Sequence, residues 1–189
     1  MPTLPAEPCV YPGDLLAGSG PDPAAGTGWR VLHVKPRQEK SLARDLLARE
    51  IGFYLPLARR DRPTRGRTTA AELPLFPGYV FLYADTDGYA AALGTGRVVR
   101  GLAVVDQTRL WDDLRRLHRV LDAGLPVAPT DRLGPGRTVE IATGPLAGCR
   151  GTVVRAAGGD RFVVEVTVLN RGAAVSCDGL ALRPLPGPA

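Results

Sequence analysis

Histidine, cysteine and lysine are all scarce in this chain of 189 residues. The two histidines, His33 and His118, stand in no HExxH, nucleophile-elbow or other metal-ligand spacing. The three cysteines are widely spaced and form no CxxC pair or Cys/His cluster, which argues against a zinc site and a disulfide framework and favours a reducing, cytoplasmic setting. Glycine-rich stretches at 94–96 and 144–151 lack the Lys-Ser/Thr of a phosphate-binding loop. We therefore expect no enzyme activity, no metal and no cofactor.

Long apolar runs are also missing. No run approaches the roughly 18 residues that a membrane-spanning helix needs, so no membrane association is expected. The first residues lack the basic start and continuous apolar core of a secretory signal. Because residues 1–27 are rich in Pro, Gly and Ala, we predict a disordered extension there.

Arginine carries almost all of the positive charge, since Lys35 and Lys40 are the only lysines among 24 basic residues. The formal net charge of +5 is unevenly spread: residues 29–123 hold seventeen basic and eleven acidic side chains, whereas residues 1–28 hold three acidic ones and no basic one. Genome base composition would also produce an arginine excess. The basic middle block nevertheless favours a polyanion or an acidic protein face as partner.

Hydrophobic periodicity predicts an α+β domain at residues 28–123, an antiparallel sheet with flanking helices. Strands are predicted at 29–34, 53–57, 75–83 and 98–105, the last buried on both faces, and helices at 38–50, 88–93 and 110–121. Gly52 is predicted to cap the first helix. Outward-facing charges are predicted on the two longer helices at Glu39, Lys40, Arg44, Asp45, Arg49, Asp112, Asp113, Arg115, Arg116 and Arg119.

Residues 124–135, with three prolines and two glycines, predict a linker. The following segment, 136–186, has closely spaced β-rich stretches at 137–142, 150–155, 161–169, 173–176 and 180–183, separated by glycine-rich turns. Short strands at this spacing predict a small all-β barrel. Its valines favour strands over helix, so we expect no helical form of this segment.

Two features of the first domain point to binding. Residues 58–72 are predicted to form a polar loop, because Pro63 and Gly66 favour turns. The loop carries five arginines, which suit nucleic acid or an acidic protein but also fit a solvated surface: Arg59, Arg60, Arg62, Arg65 and Arg67. After it, Phe76, Tyr79 and Phe81 flank a Pro77-Gly78 turn, and alternation alone allows either a core stripe or an exposed patch.

Four stretches in this order resemble the NusG family of transcription elongation factors, an N-terminal domain followed by a KOW domain. They read WRVLHVKPRQEKSLARDLL, FYLP, PLFPGYVFL and GRTVEIATGPLAGCRGTV. The resemblance implies a protein that docks on the clamp helices of RNA polymerase, bridges the DNA cleft and suppresses pausing. A lone KOW motif would also suit a ribosome-associated or RNA-binding KOW protein, but the upstream domain argues against that alternative.

The resemblance also implies roles for individual residues. It places His33, Phe76, Pro77, Tyr79 and Phe81 on the apolar surface that receives RNA polymerase. It places Lys35, Arg37 and Gln38 toward the non-template DNA strand, and the arginine loop toward the opposite jaw of the cleft. In the KOW loop, Pro145 and Leu146 are expected to present an apolar tip to Rho or to a small-subunit ribosomal protein. A monomer is expected.

Two segments are closer in style to the specialised RfaH-like antiterminators than to the general factor: RGRTTAAELPLFPGYVFL and VEVTVLNRGAAVS. Both subgroups share the same architecture. The sequence therefore leaves open whether the factor acts on all operons or on a few.

Overall fold

The computed structural model describes residues 8–18, 20, 26–64, 67–130, 136–156 and 159–185, and within them all side chains except those of 61–70 and 156. Two compact units are present, residues 1–57 with 76–111 and residues 58–75 with 112–189. The strands are β1 (Val10–Tyr11), β2 (Gly28–Val34), β3 (Gly52–Tyr54), β4 (Leu57–Thr64), β5 (Arg67–Pro74), β6 (Tyr79–Ala84), β7 (Val98–Ala103), β8 (Val127–Thr130), β9 (Arg137–Ile141), β10 (Arg150–Ala156), β11 (Gly159–Val166), β12 (Arg171–Ser176) and β13 (Leu182–Pro184). The helices are α1 (Glu39–Ala48), α2 (Thr86–Gly94) and α3 (Gln107–Asp122).

The first unit is built on a five-stranded sheet in the order β1-β3-β6-β2-β7, with antiparallel pairing throughout. Alternation along β2 divides its side chains between two faces. One face packs on α1 and α2 in a buried core of Leu32, Val34, Leu42, Ala43, Leu46, Phe53, Leu55, Val80, Leu82, Ala84 and Ala92. The predicted α+β fold with flanking helices is confirmed.

The start of the sheet corrects one prediction. Val10 and Tyr11 pair with Tyr54 and Phe53, so part of the segment predicted to be disordered is the edge strand β1. The Leu55 amide donates to the Cys9 carbonyl at 2.6 Å and extends the contact. A prediction from pattern fails here because two paired residues are too few to show alternation.

Two further predictions are wrong, one at the end of α1 and one in the edge strand β7. Gly52 does not cap α1; Glu50 takes the left-handed conformation with φ 55°, and Gly52 belongs to β3. There a Cβ on residue 52 would lie 2.6 Å from the Tyr83 carbonyl oxygen, which explains the glycine. Strand β7 is not buried on both faces, since Val99 is 55% exposed. It lies at the edge of the sheet, where apolar residues are not covered on both sides.

The predicted polar loop at 58–72 is instead a hairpin of β4 and β5. Pro63 lies one residue from the end of β4, and a two-stranded sheet consists only of edge strands, where proline is tolerated. Thr64, Thr68 and Thr69 add β-branched residues that favour extended backbone. Residues 65 and 66 lie outside the described part of the chain.

The second unit contains a six-stranded antiparallel sheet in the order β13-β9-β10-β11-β12-β8. Its core includes Val139, Ile141, Phe162, Val164, Val166 and Val175, all buried. The all-β class is confirmed, and the described residues of this segment show no α-helix. The strand predicted at 161–169 is too long, because β11 ends at Val166 and Thr167–Leu169 form a 3-10 helix. Strand β8 pairs with β12 from Val127 to Thr130, so part of the predicted linker belongs to this sheet.

In the second unit, α3 from Asp112 onward is held by polar contacts as well as by buried Leu114, Leu117 and Val120. Asp113, predicted to face outward, is only 2% exposed. Its Oδ2 accepts the Thr167 amide at 2.9 Å, and its Oδ1 pairs with Arg116 at 2.5 Å. A buried carboxylate is stable when hydrogen-bonded in this way, and its backbone partner lies too far along the sequence to be foreseen.

Candidate functional site

Seven side chains in three groups of contacting rings form an aromatic face on the side of the first sheet opposite α1 and α2. Cross-strand register aligns Trp29 with Tyr83, Val31 with Phe81 and His33 with Tyr79, so these residues point to the same side. The rings are in contact: 5.1 Å separates the centroids of Trp29 and Tyr83, 5.5 Å those of His33 and Tyr79. We define the aromatic face as Trp29, His33, Tyr54, Phe76, Tyr79, Phe81 and Tyr83.

The middle of the aromatic face is held by Phe81. Its ring stacks on Tyr54 at a centroid distance of 6.4 Å and meets the edge of Phe76 at 6.5 Å. Such pairs add about 0.5–1.5 kcal/mol each beyond the buried area. Phe81 is therefore a structural anchor of this face as well as part of it.

Exposure differs sharply among the five predicted polymerase-binding residues. Phe76 and Phe81 are buried, at 1% and 0% exposed. His33 and Tyr79 are half-buried, and Pro77 is exposed. The sequence alternation allowed either a core stripe or an exposed patch. The structure shows some of each, since Phe76 and Phe81 lie in the core and Pro77 of the turn lies at the surface.

Two polar atoms of the aromatic face lack a hydrogen bond. Trp29 Nε1 and His33 Nδ1 are buried and have no partner among the described residues. A buried polar atom without a partner costs about 1–3 kcal/mol. Such atoms are rare in native proteins.

The Pro77-Gly78 turn at the end of the aromatic face is fixed from two sides. The Gly78 amide donates to Oε1 of Glu39, the first residue of α1, at 2.7 Å, and the Val34 amide donates to the Gly78 carbonyl at 2.8 Å. Gly78 has φ 84°, a left-handed conformation that favours glycine. A Cβ there would also lie 3.7 Å from the His33 ring.

Glu39 corrects a prediction, because it was expected to face solvent and is 5% exposed. Its carboxylate is the only described side chain that accepts a hydrogen bond from this turn. The sequence contains no signal for the contact, since the donor lies 39 residues away.

The predicted DNA-facing residues of the first unit divide into two kinds. Lys35 and Arg37 are exposed, and Arg37 has φ 63°. Gln38 is instead held in place, since its Oε1 accepts from Nη1 of Arg97. The same guanidinium donates through Nε to Asp45 Oδ2 at 2.6 Å. Arg97 was missed by sequence reasoning because it lies in no basic cluster.

The five arginines of the predicted loop are only partly described. Arg59 and Arg60 are exposed on β4. Arg62 lies on β4 and Arg67 on β5, but the structure does not describe their side chains. Arg65 lies outside the described residues. The structure therefore places two of the five guanidinium groups at a surface.

In the loop between β9 and β10, Pro145 is exposed but Leu146 is only 2% exposed. The expected presentation of Leu146 as an apolar tip is wrong. The loop closes on itself through the Gly148 amide, which donates to the Ile141 carbonyl at 2.8 Å, and the Cys149 amide, which donates to the Leu146 carbonyl at 2.9 Å. This inward fold explains why Leu146 packs inside.

Electrostatic effects in the second unit centre on Glu140 and Cys149. Hydrogen bonds from Arg150 and then Arg183 lower the pKa of the Glu140 carboxyl. Burial raises the pKa of the Cys149 thiol, against the opposing fields of Arg119 and Arg116. Across the described residues, no group of three or more His, Cys, Asp or Glu is arranged to hold a metal ion, and no helix there is long and apolar enough to span a membrane.

Comparison with known proteins gives one family. The family profile described as "Transcription termination factor nusG" matches residues 27–122, just over half of the chain. No curated protein matches. Among solved structures, a Thermotoga maritima NusG studied for its domain interaction is similar with 16% identity and a TM-score of 0.48, covering 83% of this chain and 97% of that one.

Proposed function

Because this chain belongs to the NusG family of transcription factors, we propose that it binds the clamp helices of RNA polymerase through the aromatic face and modulates pausing and termination. The observation that carries this proposal is the aromatic face, which ends in a rigid turn whose Pro77 is exposed and whose neighbours His33 and Tyr79 are half-buried. An incoming protein surface would contact this turn and the exposed parts of the two rings.

Contact and support are divided between different residues of the face. Pro77, Tyr79 and His33 retain exposed surface and make the contact. Phe76 and Phe81 are buried and hold the turn and Tyr79 in position from within. Glu39 adds a fixed link from α1 to the Gly78 amide, so the turn is preorganised before binding.

Nucleic-acid contact is proposed for the exposed cations. Lys35 and Arg37 follow directly after β2, beyond the His33 end of the aromatic face, and they approach the non-template DNA strand. Arg59 and Arg60 on β4 approach the opposite side of the cleft. Gln38 instead helps to position the segment 35–38, because its side chain accepts a hydrogen bond from Arg97. The C-terminal sheet is proposed to recruit a further partner, Rho or a small-subunit ribosomal protein, with Pro145 as an exposed contact.

The test is the affinity of purified full-length protein for core RNA polymerase, measured by biolayer interferometry. Tyr79→Ala removes an aromatic contact and should weaken binding about 30-fold, since an interface hot spot contributes about 2 kcal/mol. Tyr79→Phe keeps the ring and should bind within about threefold of the wild type. Phe81→Asp is unsuitable because it would bury a charge at a fully buried position.

The matched control is Leu93→Ala, which removes an apolar side chain that is 41% exposed on α2, away from the aromatic face. It should leave the affinity unchanged. Circular dichroism and the melting temperature would show that each variant is folded. Equal affinity of Tyr79→Ala and Leu93→Ala for polymerase would refute the assignment. Binding to ribosomal RNA with no binding to polymerase would favour a ribosome-associated KOW protein.

A further inference from the structure

A cavity of about 250 Å³ in the second unit is lined mainly by arginine. Its walls are Asp112, Arg115, Arg116 and Arg119 of α3 with Gly148 and Arg150 of the loop and strand facing them. Four guanidinium groups thus converge around one carboxylate. None of these residues was assigned to a site by the sequence or by the proposed polymerase contact.

Three of the four pocket arginines, Arg116, Arg119 and Arg150, are held in place by carboxylates or carbonyls. Arg116 pairs with Asp113, whose side chain is 3% exposed while that of Arg116 is 34% exposed. Arg150 pairs with Glu140, with 64% exposure for the arginine and 13% for the carboxylate. The two carboxylates behind the pocket are therefore covered while their arginine partners face solvent, and Asp112 is the one exposed carboxylate in the lining.

Arg119 ties the two walls of the pocket together. Its Nη2 donates to the Ala147 carbonyl at 2.7 Å, which joins α3 to the loop before β10. The fields of Arg119 and Arg116 oppose the burial that raises the pKa of Cys149, so the positive potential of both arginines extends to the residue between Gly148 and Arg150. Gly148 has φ 77°, a left-handed conformation that favours glycine.

The lining determines which chemistry the pocket suits. Guanidinium groups bind phosphate with paired hydrogen bonds and remain charged at all physiological pH values. No aromatic side chain lines the pocket, so bases have no ring on which to stack and recognition would not depend on sequence. An elongating polymerase produces one single strand continuously, the RNA transcript, and this chain belongs to a transcription-factor family.

We infer that this arginine pocket binds phosphodiester groups of single-stranded RNA without sequence preference. The site lies in the second unit and uses none of the residues of the aromatic face. If the polymerase assignment failed, with Tyr79→Ala and Leu93→Ala binding polymerase equally, the measurement on this pocket would therefore be unaffected, and the reverse also holds.

The experiment is fluorescence anisotropy with the full-length protein and labelled twelve-nucleotide polyuridine RNA, titrated at several salt concentrations. Arg115→Glu reverses one pocket charge at an exposed position, and Arg155→Glu makes the same change at an exposed position of β10 outside the pocket. Both variants alter the net charge equally. Their difference isolates the local contribution from that of all other basic residues.

The expected result is at least a tenfold greater loss of RNA affinity for Arg115→Glu than for Arg155→Glu. The slope of log affinity against log salt should also fall by about 0.7 for each phosphate group that the variant no longer binds. Equal losses in the two variants would overturn the inference, because only net charge would then matter.

Two further probes separate other anionic ligands from RNA. Labelled twelve-nucleotide polythymidine tests DNA, and a labelled twelve-residue polyglutamate tests an acidic protein. If Arg115→Glu selectively weakened either of these and left RNA binding unchanged, the inference would be wrong. A loss of RNA binding with polyglutamate binding unchanged supports it, whether or not polythymidine binding also falls. Circular dichroism would show whether the variants keep the wild-type fold.

Discussion

Replacement of Glu39 by alanine should destabilise the first unit by about 2–3 kcal/mol. The change leaves the Gly78 amide without the carboxylate that accepts it at 2.7 Å. A hydrogen bond to a charged group contributes about 1.5–3 kcal/mol, and a carboxylate in the first turn of a helix adds about 0.3–1 kcal/mol through the helix dipole. The higher helix propensity of alanine offsets only a few tenths of a kcal/mol.

Urea unfolding followed by tryptophan fluorescence suits this measurement, since both tryptophans, Trp29 and Trp111, belong to the first unit. Glu39→Gln retains an oxygen acceptor without the charge, so it should lose about half as much stability as Glu39→Ala. Asp87→Ala removes an exposed carboxylate from the first turn of α2 in the same unit, and should stay within about 0.5 kcal/mol of the wild type.

The three variants together decide whether the hydrogen bond, and not general charge, carries the effect. If Glu39→Ala unfolded at the same urea concentration as Asp87→Ala, the Gly78 hydrogen bond would contribute nothing and the turn would not be preorganised by Glu39. A loss in Glu39→Gln as large as that in Glu39→Ala would show that charge, not the acceptor, matters.

Two other substitutions test the second unit. Gly151→Ala places a Cβ 2.5 Å from the Val163 carbonyl oxygen, so it should separate β10 from β11 and cost at least about 2 kcal/mol by urea unfolding followed by circular dichroism. The control Gly94→Ala, at the end of α2 in the first unit with nothing within 4 Å of the added Cβ, should not destabilise the protein and should gain at most about 1 kcal/mol from helix propensity. The folded-state pKa of Glu140 is lowered, so its stabilising effect is present above the ordinary value of 4.5 and is lost as pH falls through the folded pKa. The stability difference between wild type and Glu140→Gln should therefore be full at pH 7 and close in strong acid, and an unchanged difference would contradict the cause given for the pKa shift.

The elements that the sequence predicts well are those whose signal lies within the element. Strand β2 alternates along its own length, and α1 carries Leu42 and Leu46 on one helical face, so each indicates which side is buried. The strands of the C-terminal sheet are predictable because valines and glycine turns recur at short spacing. Local pattern is sufficient for all of these.

The features that the sequence does not reveal depend on partners far along the chain. Glu39 lies on the charged side of α1 by periodicity, yet its partner Gly78 buries it. Asp113 is buried for the same reason, by the Thr167 amide. Leu146 turns inward because its loop bonds to itself, which no composition rule reveals. For Val99 the prediction is wrong in the opposite direction, because this apolar residue was expected to be buried and is exposed at the edge of the sheet.

Strand β1 also bears on how shortened versions of the protein would behave. The proline- and glycine-rich start of the chain invites truncation before Gly26, yet that cut would remove the strand that pairs with Phe53 and Tyr54. The backbone of β3 would become an open edge beside buried aromatic rings, and an open edge recruits strands from other molecules. Aggregation of such a shortened protein would then result from the loss of the edge strand β1, and would not show that the domain is intrinsically unstable.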